Sequence, residues 1–317
     1  MPIIIVEKTI QHIELFSFID SIRPETQIRL LDNTITLNGL SPRPPLYEHL
    51  LKARGYVGWN AVIGVIDSGI NNVVGVLDIK KSVDFTGPDI GNDGTDLFGH
   101  GTTVAHIINT FAPKAKLINI RVTNSQDIQE AKLIKAMEWV YFKPKMNIIN
   151  LSLGALRNQA CDGSCEICQL ADKIAQKGIL VVASAGNEGP VEGTIRCPGV
   201  STSAVTVGAI DYNNNVASFS SRGYSGQDKP DLVTSGHNDS PDLRFSAGTS
   251  FSAPIISGVA AAIYNECSDN KRLKDILCQS TVSIRAKRNH QGTGKLDLNK
   301  LLEVLDNDKT ASKSIQS

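Results

Sequence analysis

The chain has 317 residues, 41% of them hydrophobic and 20% charged, which is typical of a globular protein with one large domain and an extra segment. Basic and acidic residues both number 32, so the net charge gives no reason to expect nucleic acid or an anionic membrane as a partner. No apolar run approaches the roughly 20 residues of a membrane-spanning helix. The N-terminus lacks the basic stretch of a secretory signal. We therefore expect a cytoplasmic protein, although secretion stays open if the sequence is a trimmed one.

The N-terminal residues predict a small α+β segment. Their hydrophobic pattern indicates a strand at 3–6, a helix at about 10–22 and two short strands at 27–31 and 34–37.

A proline-rich stretch, "SPRPP" at 41–45, predicts a stiff linker. It divides the chain into an N-terminal segment at 1–40 and a main domain at 41–305. Residues 306–317 are polar and predict a flexible tail.

Apolar strands alternate with helical stretches beyond the linker. Strands are predicted at 61–67, 115–122, 147–154, 178–187 and 204–210. Helices are predicted at 128–142, between the strand at 147–154 and about residue 177, directly after residue 249, at 269–279 and at 296–305. Near-continuous Val/Ile runs are typical of strands that are buried on both faces. The order predicts an α/β fold whose mostly parallel sheet carries helices on both faces.

Three residues with complementary chemistry stand at the ends of these elements. Asp67 ends a buried strand, His100 lies between two glycines at the start of an apolar helix, and Ser250 begins a helix rich in small residues. An acid, an imidazole and a hydroxyl are the components of a nucleophilic triad. Each motif alone is more typical of a turn or a helix cap, so the hypothesis depends on finding all three in the order Asp–His–Ser.

Nine collinear motifs between residues 46 and 305 resemble the subtilisin-like serine proteases, the subtilase or peptidase S8 family. They are "VIDSGI", "DLFGHGTTVA", "NLSLG", "VVASAGNEG", "AVTVGAID", "FSSRG", "KPDLVTSG", "GTSFSAPIISGVAA" and "GTGKLDLNKLL". The resemblance implies a three-layer subtilisin-like fold and a serine endopeptidase whose catalysis needs no cofactor.

The resemblance implies a role for each catalytic residue. Ser250 would be the nucleophile, His100 the general acid and base, and Asp67 its orienting partner. Asn187 would donate its side-chain amide to the oxyanion together with the backbone N–H of Ser250. From the residues alone, Asn187 is more readily explained as a helix cap or a turn residue.

A peptide-binding cleft is implied as well. Ser152, Leu153 and Gly154 resemble the edge strand that pairs with an extended substrate. Ala185 and Gly186 would also contact the substrate.

Arg196 stands just before "CPG", where the family forms the S1 pocket that receives the residue before the scissile bond. If its guanidinium points inward, it would favour an acidic residue there. If not, it would face solvent or pair with Glu188 or Glu192.

Some features depart from the family pattern. Only residues 104–111 separate "HGTT" from "APKAKL", which leaves no room for the insertion that forms a strong calcium site in many secreted relatives. We expect no calcium at that position.

The segment 1–40 resembles a shortened form of the family's inhibitory prodomain. It would block the cleft until cut, between residues 38 and 45, which would make the protein a self-processing zymogen. The alternative is a permanently attached docking module.

Four cysteines form a separate group. Cys161, Cys165 and Cys168 fall within "CDGSCEIC", and Cys197 follows Arg196. A structural zinc, two disulfides and reduced thiols all remain open. We expect the group to lie beside the substrate strand and the S1 loop.

Three functional hypotheses follow. The first is a serine endopeptidase that acts on peptide or protein substrates, either as a general degrader or as a dedicated processor of a precursor peptide. The second is a pseudoprotease that keeps the fold as a peptide-binding module, with the filled catalytic positions arguing against it. The third is a zinc-dependent regulatory protein, which would require the cysteine group to be the functional centre. Neither the natural substrate nor the oligomeric state can be read from the sequence.

Overall fold

The structure is a computed structural model that describes residues 27–30, 48–72, 75–143, 146–156, 161–237 and 247–316. The elements predicted at 3–6, 10–22 and 34–37, the linker at 41–45 and the predicted cleavage region lie outside the described residues.

A nine-stranded sheet forms the centre of the described domain, in the order β11-β12-β10-β9-β8-β6-β2-β4-β3. Its strands are β2 (Val62–Asp67), β3 (Asp78–Asp84), β4 (Lys116–Arg121), β6 (Ile148–Leu151), β8 (Leu180–Ser184), β9 (Val205–Ile210), β10 (Leu232–Ser235), β11 (Thr281–Val282) and β12 (Lys295–Leu296). All neighbouring pairs are parallel except β11 and β12. This confirms the prediction of a mostly parallel sheet.

Helices cover both faces of this sheet. They are α1 (Glu48–Ala53), α2 (His100–Phe111), α3 (Glu130–Phe142), α4 (Glu166–Gln176), α5 (Thr249–Ala262), α6 (Asn270–Gln279), α7 (Arg288–Gln291) and α8 (Leu298–Gln316). The side chains of β2 point into two different hydrophobic cores. Ile63 and Val65 belong to one core, and Ile66 belongs to the other. The continuous apolar runs therefore arise because the strands are buried on both faces.

A small second sheet contains the N-terminal strand β1 (Gln27–Leu30), which confirms the strand predicted at 27–31. β1 lies between β5 (Asp127–Ile128) and β7 (Leu153–Leu156) and is antiparallel to both. A strand from outside the predicted main domain thus pairs with the predicted substrate strand.

The last helix, α8, continues to Gln316 and is therefore longer than the helix predicted at 296–305. Ion pairs hold the added turns against the domain. Asp306 lies 3.2 Å from Arg54, and Lys309 lies 2.8 Å from Glu266. These partners are far away in sequence, so the local composition of the tail did not reveal them.

Within the described ranges, no helix combines the length and the apolar character needed to cross a membrane.

Candidate active site

Asp67 and His100 form a buried hydrogen-bonded pair. Asp67 ends β2 and His100 begins α2, and the distance from Asp67 Oδ1 to His100 Nδ1 is 2.8 Å. The two side chains are 1% and 0% exposed. Because a carboxylate only accepts hydrogen bonds, Nδ1 carries the proton, and Nε2 of a neutral imidazole is then the basic nitrogen. This is the tautomer that a general base next to a serine requires.

Gly101 allows this close approach of α2 to β2. A Cβ atom at this position would lie 2.2 Å from the backbone oxygen of Gly69 and 3.0 Å from Cβ of Asp67. The Gly101 N–H also donates to Ser68 Oγ over 3.0 Å. Any side chain at 101 would therefore push the histidine away from its carboxylate.

Asp96 anchors the start of α2, a role that the sequence analysis missed. Its carboxylate accepts hydrogen bonds from Gly99 N at 2.7 Å, from Thr102 N at 2.9 Å and from Ser68 Oγ at 2.8 Å. It satisfies backbone donors that the first turn of a helix leaves unpaired. An acidic residue four positions before His100, at a helix start, was the available signal.

Ser250 is the second residue of α5 and is fully buried. Pro254 lies four residues later in the same helix and has no N–H to donate to the Ser250 carbonyl. Ser152 Oγ donates to that carbonyl instead, over 2.8 Å. The backbone of the predicted nucleophile is therefore held by a residue of the predicted substrate strand.

The start of α5 lies beside His100. The ring of Phe251, the residue after Ser250, has its centroid 6.0 Å from that of His100. The structure thus brings the three predicted triad residues into one region.

Asn187 contacts the residue that precedes Ser250. Its Oδ1 accepts hydrogen bonds from Thr249 N at 3.0 Å and from Thr249 Oγ1 at 2.9 Å. These contacts fix the orientation of the amide. Its Nδ2 is buried and has no hydrogen-bond partner among the described residues. A buried donor without a partner is costly, so this one indicates a place for an external acceptor.

The three residues of the predicted substrate strand have different surroundings. Leu153 and Gly154 belong to β7, where their backbones face Leu30 and Arg29 of β1. Ser152 is buried, and its side chain holds Ser250.

Arg196 lies behind the Ala185–Gly186 segment. Its backbone N–H donates to Ala185 O over 2.8 Å, and a Cβ atom on Gly186 would lie 2.7 Å from Arg196 Cγ. The residue is only 6% exposed, and Nη2 bonds to Glu188 Oε1. Arg196 therefore does not face solvent, and Glu188 is its partner.

The rest of the Arg196 guanidinium has unused donors. Nε and Nη1 are buried and have no hydrogen-bond partner among the described residues. Glu192, the other partner considered from the sequence, lies 2.9 Å from Lys287 and 3.0 Å from His290.

The Sγ atoms of Cys161, Cys165, Cys168 and Cys197 lie within 4.8 Å of one another, and the group could hold a zinc ion. The structure contains no disulfide among these four. Ala155 of β7 donates its N–H to Cys197 O over 2.8 Å, so the group lies beside the substrate strand, as predicted.

Residues 58–296 match the profile of the Subtilase family. The chain belongs to the subtilase family. The matched range contains Asp67, His100, Asn187 and Ser250, and subtilases are subtilisin-like serine endopeptidases.

Individual subtilases are also similar to this chain. Subtilisin DY of Bacillus licheniformis is 34% identical over 237 residues, covering 70% of this chain and 83% of its own. Subtilisin E of Bacillus subtilis is 31% identical over 267 residues, which cover 78% of this chain and 67% of subtilisin E.

A longer relative is the membrane-bound transcription factor site-1 protease of Mus musculus. It is 28% identical over 290 residues, which are 82% of this subtilase chain. The matched part is 26% of that protein, so the chain spans about a quarter of its length.

The fold also agrees with that of a solved protease structure. A protease from Pseudoalteromonas arctica PAMC 21717 superposes with a TM-score of 0.67 at 20% identity, over 80% of this chain and 93% of that one.

Proposed function

We propose that this subtilase is an active serine endopeptidase. The observation that carries the proposal is the buried 2.8 Å hydrogen bond between Asp67 and His100, beside the helix start that holds Ser250. A pseudoprotease would have no need to keep a buried carboxylate–imidazole pair, nor the buried amide donor of Asn187.

The reaction would follow from the geometry. Ser250 Oγ attacks the peptide carbonyl as its proton moves to His100 Nε2, and Asp67 stabilises the imidazolium. Asn187 Nδ2 and the Ser250 N–H donate to the oxyanion. His100 then gives its proton to the leaving amine, and a water molecule hydrolyses the acyl-enzyme by the reverse sequence.

A fluorophosphonate probe tests this proposal, because it forms a covalent bond only with an activated serine. We expect the wild type to be labelled and to cleave peptides, and Ser250→Ala to do neither. Ser218→Ala, at an exposed serine, is the control and should behave as the wild type. Absence of labelling in the folded wild type would favour the pseudoprotease, and labelling that survives Ser250→Ala would overturn the assignment of the nucleophile.

The partner-less donors of Arg196 support a preference for an acceptor group in the substrate residue before the scissile bond. Glu188 already balances the charge of the guanidinium, but Nε and Nη1 can still donate to a carboxylate. We expect kcat/KM for Glu or Asp at this position to exceed that for Leu or Phe, and Arg196→Ala to reverse the order. An unchanged ratio in the variant would refute this role.

The position of β1 supports an inhibitory role for the N-terminal segment. β1 pairs with both β5 and β7, and an extended peptide bound by strand addition would use the same backbone groups. Leu30, at the end of β1, lies opposite Leu153 of β7. The residue before Leu153 is Ser152, and its hydroxyl donates a hydrogen bond to the backbone carbonyl of Ser250. The chain direction of β1 therefore leads towards the nucleophile, so β1 and a substrate would compete for one place.

A proline in β1 tests the inhibition. Ile28→Pro removes a backbone N–H from β1, whereas Ile28→Val keeps it and serves as the matched control. We expect the first variant to start cleaving an added peptide faster than the wild type and the second to be unchanged. Equal initial rates for all three, with equal probe labelling, would refute the inhibition.

A separate measurement tests whether the segment is removed. A self-processing zymogen shortens on storage in the wild type and stays full-length in Ser250→Ala. If the wild type also stays intact, the segment is a permanent module.

Two features favour selective processing of a precursor over general degradation. One is the buried Arg196 guanidinium at the pocket, and the other is the pairing of the chain's own strand β1 with the substrate strand. Cleavage of a random peptide library should then show a narrow preference. A broad profile would favour the degrader.

A further inference from the structure

The catalytic proposal leaves the four converging cysteines without a role. We propose that Cys161, Cys165, Cys168 and Cys197 bind one zinc ion, and that this ion fixes one wall of the substrate cleft. The second half of the proposal rests on the proposed peptidase function, whereas the first half does not.

The spacing of the sulfur atoms suits one tetrahedral ion. Four thiolates at about 2.3 Å from zinc lie about 3.8 Å from one another. The four Sγ atoms are all within 4.8 Å of one another, so small side-chain adjustments bring them to that distance. Two disulfides would need only two close pairs, not four mutually close atoms. A cluster of several iron atoms would need thiolates farther apart than a single ion does.

The burial of the group suits a structural site with four protein ligands. Cys168 and Cys197 are fully buried, and Cys161 and Cys165 are partly exposed. The ion would therefore be shielded from solvent on one side and reachable on the other. No polar ligand other than the thiolates is needed to complete a tetrahedron.

The surroundings stabilise negative charge on the sulfur atoms. The Gly163 N–H points at Cys161 Sγ over 3.3 Å. Cys165 directly precedes α4, so it lies at the positive end of that helix. Donors of this kind are typical of the outer shell that orients metal ligands.

The group connects three parts of the cleft. Cys197 accepts a hydrogen bond from Ala155 of β7, and Ala155 lies opposite Ile28 of β1. Arg196 is the residue before Cys197, and Cys161 is held from another side by Tyr224, whose hydroxyl donates to its carbonyl over 2.8 Å. A bound ion would thus tie the substrate strand, the pocket arginine and the start of α4 to one another.

Metal analysis of Ser250→Ala, which removes the nucleophile, tests the binding independently of catalysis. We expect about one zinc per chain after purification with a reductant. Cys168→Ser in this background should lower the zinc content at least about 10-fold. Cys278→Ser, at a partly buried cysteine outside the group, should leave it unchanged.

Because Cys168→Ser could fail to fold, a second measurement uses the unaltered cysteines. Removing zinc from folded Ser250→Ala and adding Co²⁺ should give the thiolate charge-transfer and visible absorption bands of a tetrahedral four-sulfur site. Alkylation of the denatured, non-reduced protein should modify all six cysteines. Modification of only two of them, or failure of the folded protein to take up either metal, would overturn the zinc site.

Kinetics of the wild type test the effect on the cleft. We expect zinc removal to raise KM for a peptide long enough to pair with β7 by about 10-fold, and re-added zinc to restore it. A short ester that reaches only Ser250 should keep its kcat. If KM for the long peptide is unchanged when metal analysis shows that zinc has left, the ion does not position the cleft. Fluorophosphonate labelling of both forms separates this result from a failure of the peptidase proposal.

Discussion

The hydrogen bond between Ser152 and the backbone of Ser250 allows a quantitative prediction. Pro254 cannot supply the helical N–H for the Ser250 carbonyl, and Ser152 Oγ supplies a donor instead. The same hydroxyl accepts a hydrogen bond from Asn150 Nδ2 over 2.9 Å. Ser152→Ala therefore removes one partner from a buried carbonyl and one from a buried amide.

The expected cost follows from these two losses. A buried polar group that loses its partner costs about 1–3 kcal/mol, so Ser152→Ala should lower the free energy of unfolding by about 3 kcal/mol. Pro254→Ala restores an N–H at the position where a helix would use it. In that background only Asn150 loses a partner, so Ser152→Ala should cost about 1.5 kcal/mol.

The assay is a double-mutant cycle in the Ser250→Ala background, which prevents self-digestion and keeps the backbone carbonyl. Urea unfolding of the four proteins gives each free energy, and a coupling of about 1.5 kcal/mol is expected between positions 152 and 254. If Ser152→Ala costs the same with proline and with alanine at 254, the hydroxyl does not replace the missing helical donor, and the reasoning is refuted.

Three further predictions concern other buried contacts. Asn187→Ala should lower kcat about 100- to 1,000-fold with little change in KM, the size already known for the oxyanion donor of subtilisin itself; an unchanged kcat would exclude this role. Gly101→Ala places a Cβ atom 2.2 Å from a backbone oxygen and should lower both the free energy of unfolding and kcat. Gly87→Ala is the control, because the atom nearest to its Cβ would be 3.6 Å away, and it should change the free energy of unfolding by less than about 0.5 kcal/mol. Equal effects of the two substitutions would contradict the steric argument. The Asp231 carboxylate lies 2.6 Å from the Lys229 ammonium group. Burial alone would raise the pKa of Asp231, but two lysine ammonium groups hold that pKa below its ordinary value. The ion pair therefore stabilises the folded protein above about pH 4, and this stabilisation is lost as the pH falls through the folded-state pKa. Asp231→Asn should therefore cost about 3 kcal/mol at pH 7 and less at pH 3 in urea titrations, and a cost that does not depend on pH would contradict the ion-pair explanation.

The sequence sufficed for the parts of the site that local patterns encode. Asp67 is recognisable because it ends a continuous apolar strand, and Ser250 because it begins a helix of small residues. Parallel strands place their carboxyl ends at one edge, so the order of the motifs also predicted that they would meet. The mostly parallel sheet followed from the same continuous runs.

Roles that depend on distant partners escaped sequence reasoning. Asp96 holds the start of α2 through backbone groups whose geometry appears only when the loop is folded. Arg196 could be placed near the pocket, but its pairing with Glu188 rather than Glu192 was left open.

By itself, the sequence determined the family, the central sheet and the identity of the residues proposed for catalysis, because these depend on hydrophobic periodicity and short motifs. The tertiary structure alone decided that β1 lies against the substrate strand, that α8 continues to Gln316, and that the sulfur atoms of the four grouped cysteines lie within 4.8 Å of one another. Each of these rests on hydrogen bonds, ion pairs or close approaches between residues far apart in the chain, and such contacts leave no local pattern to read.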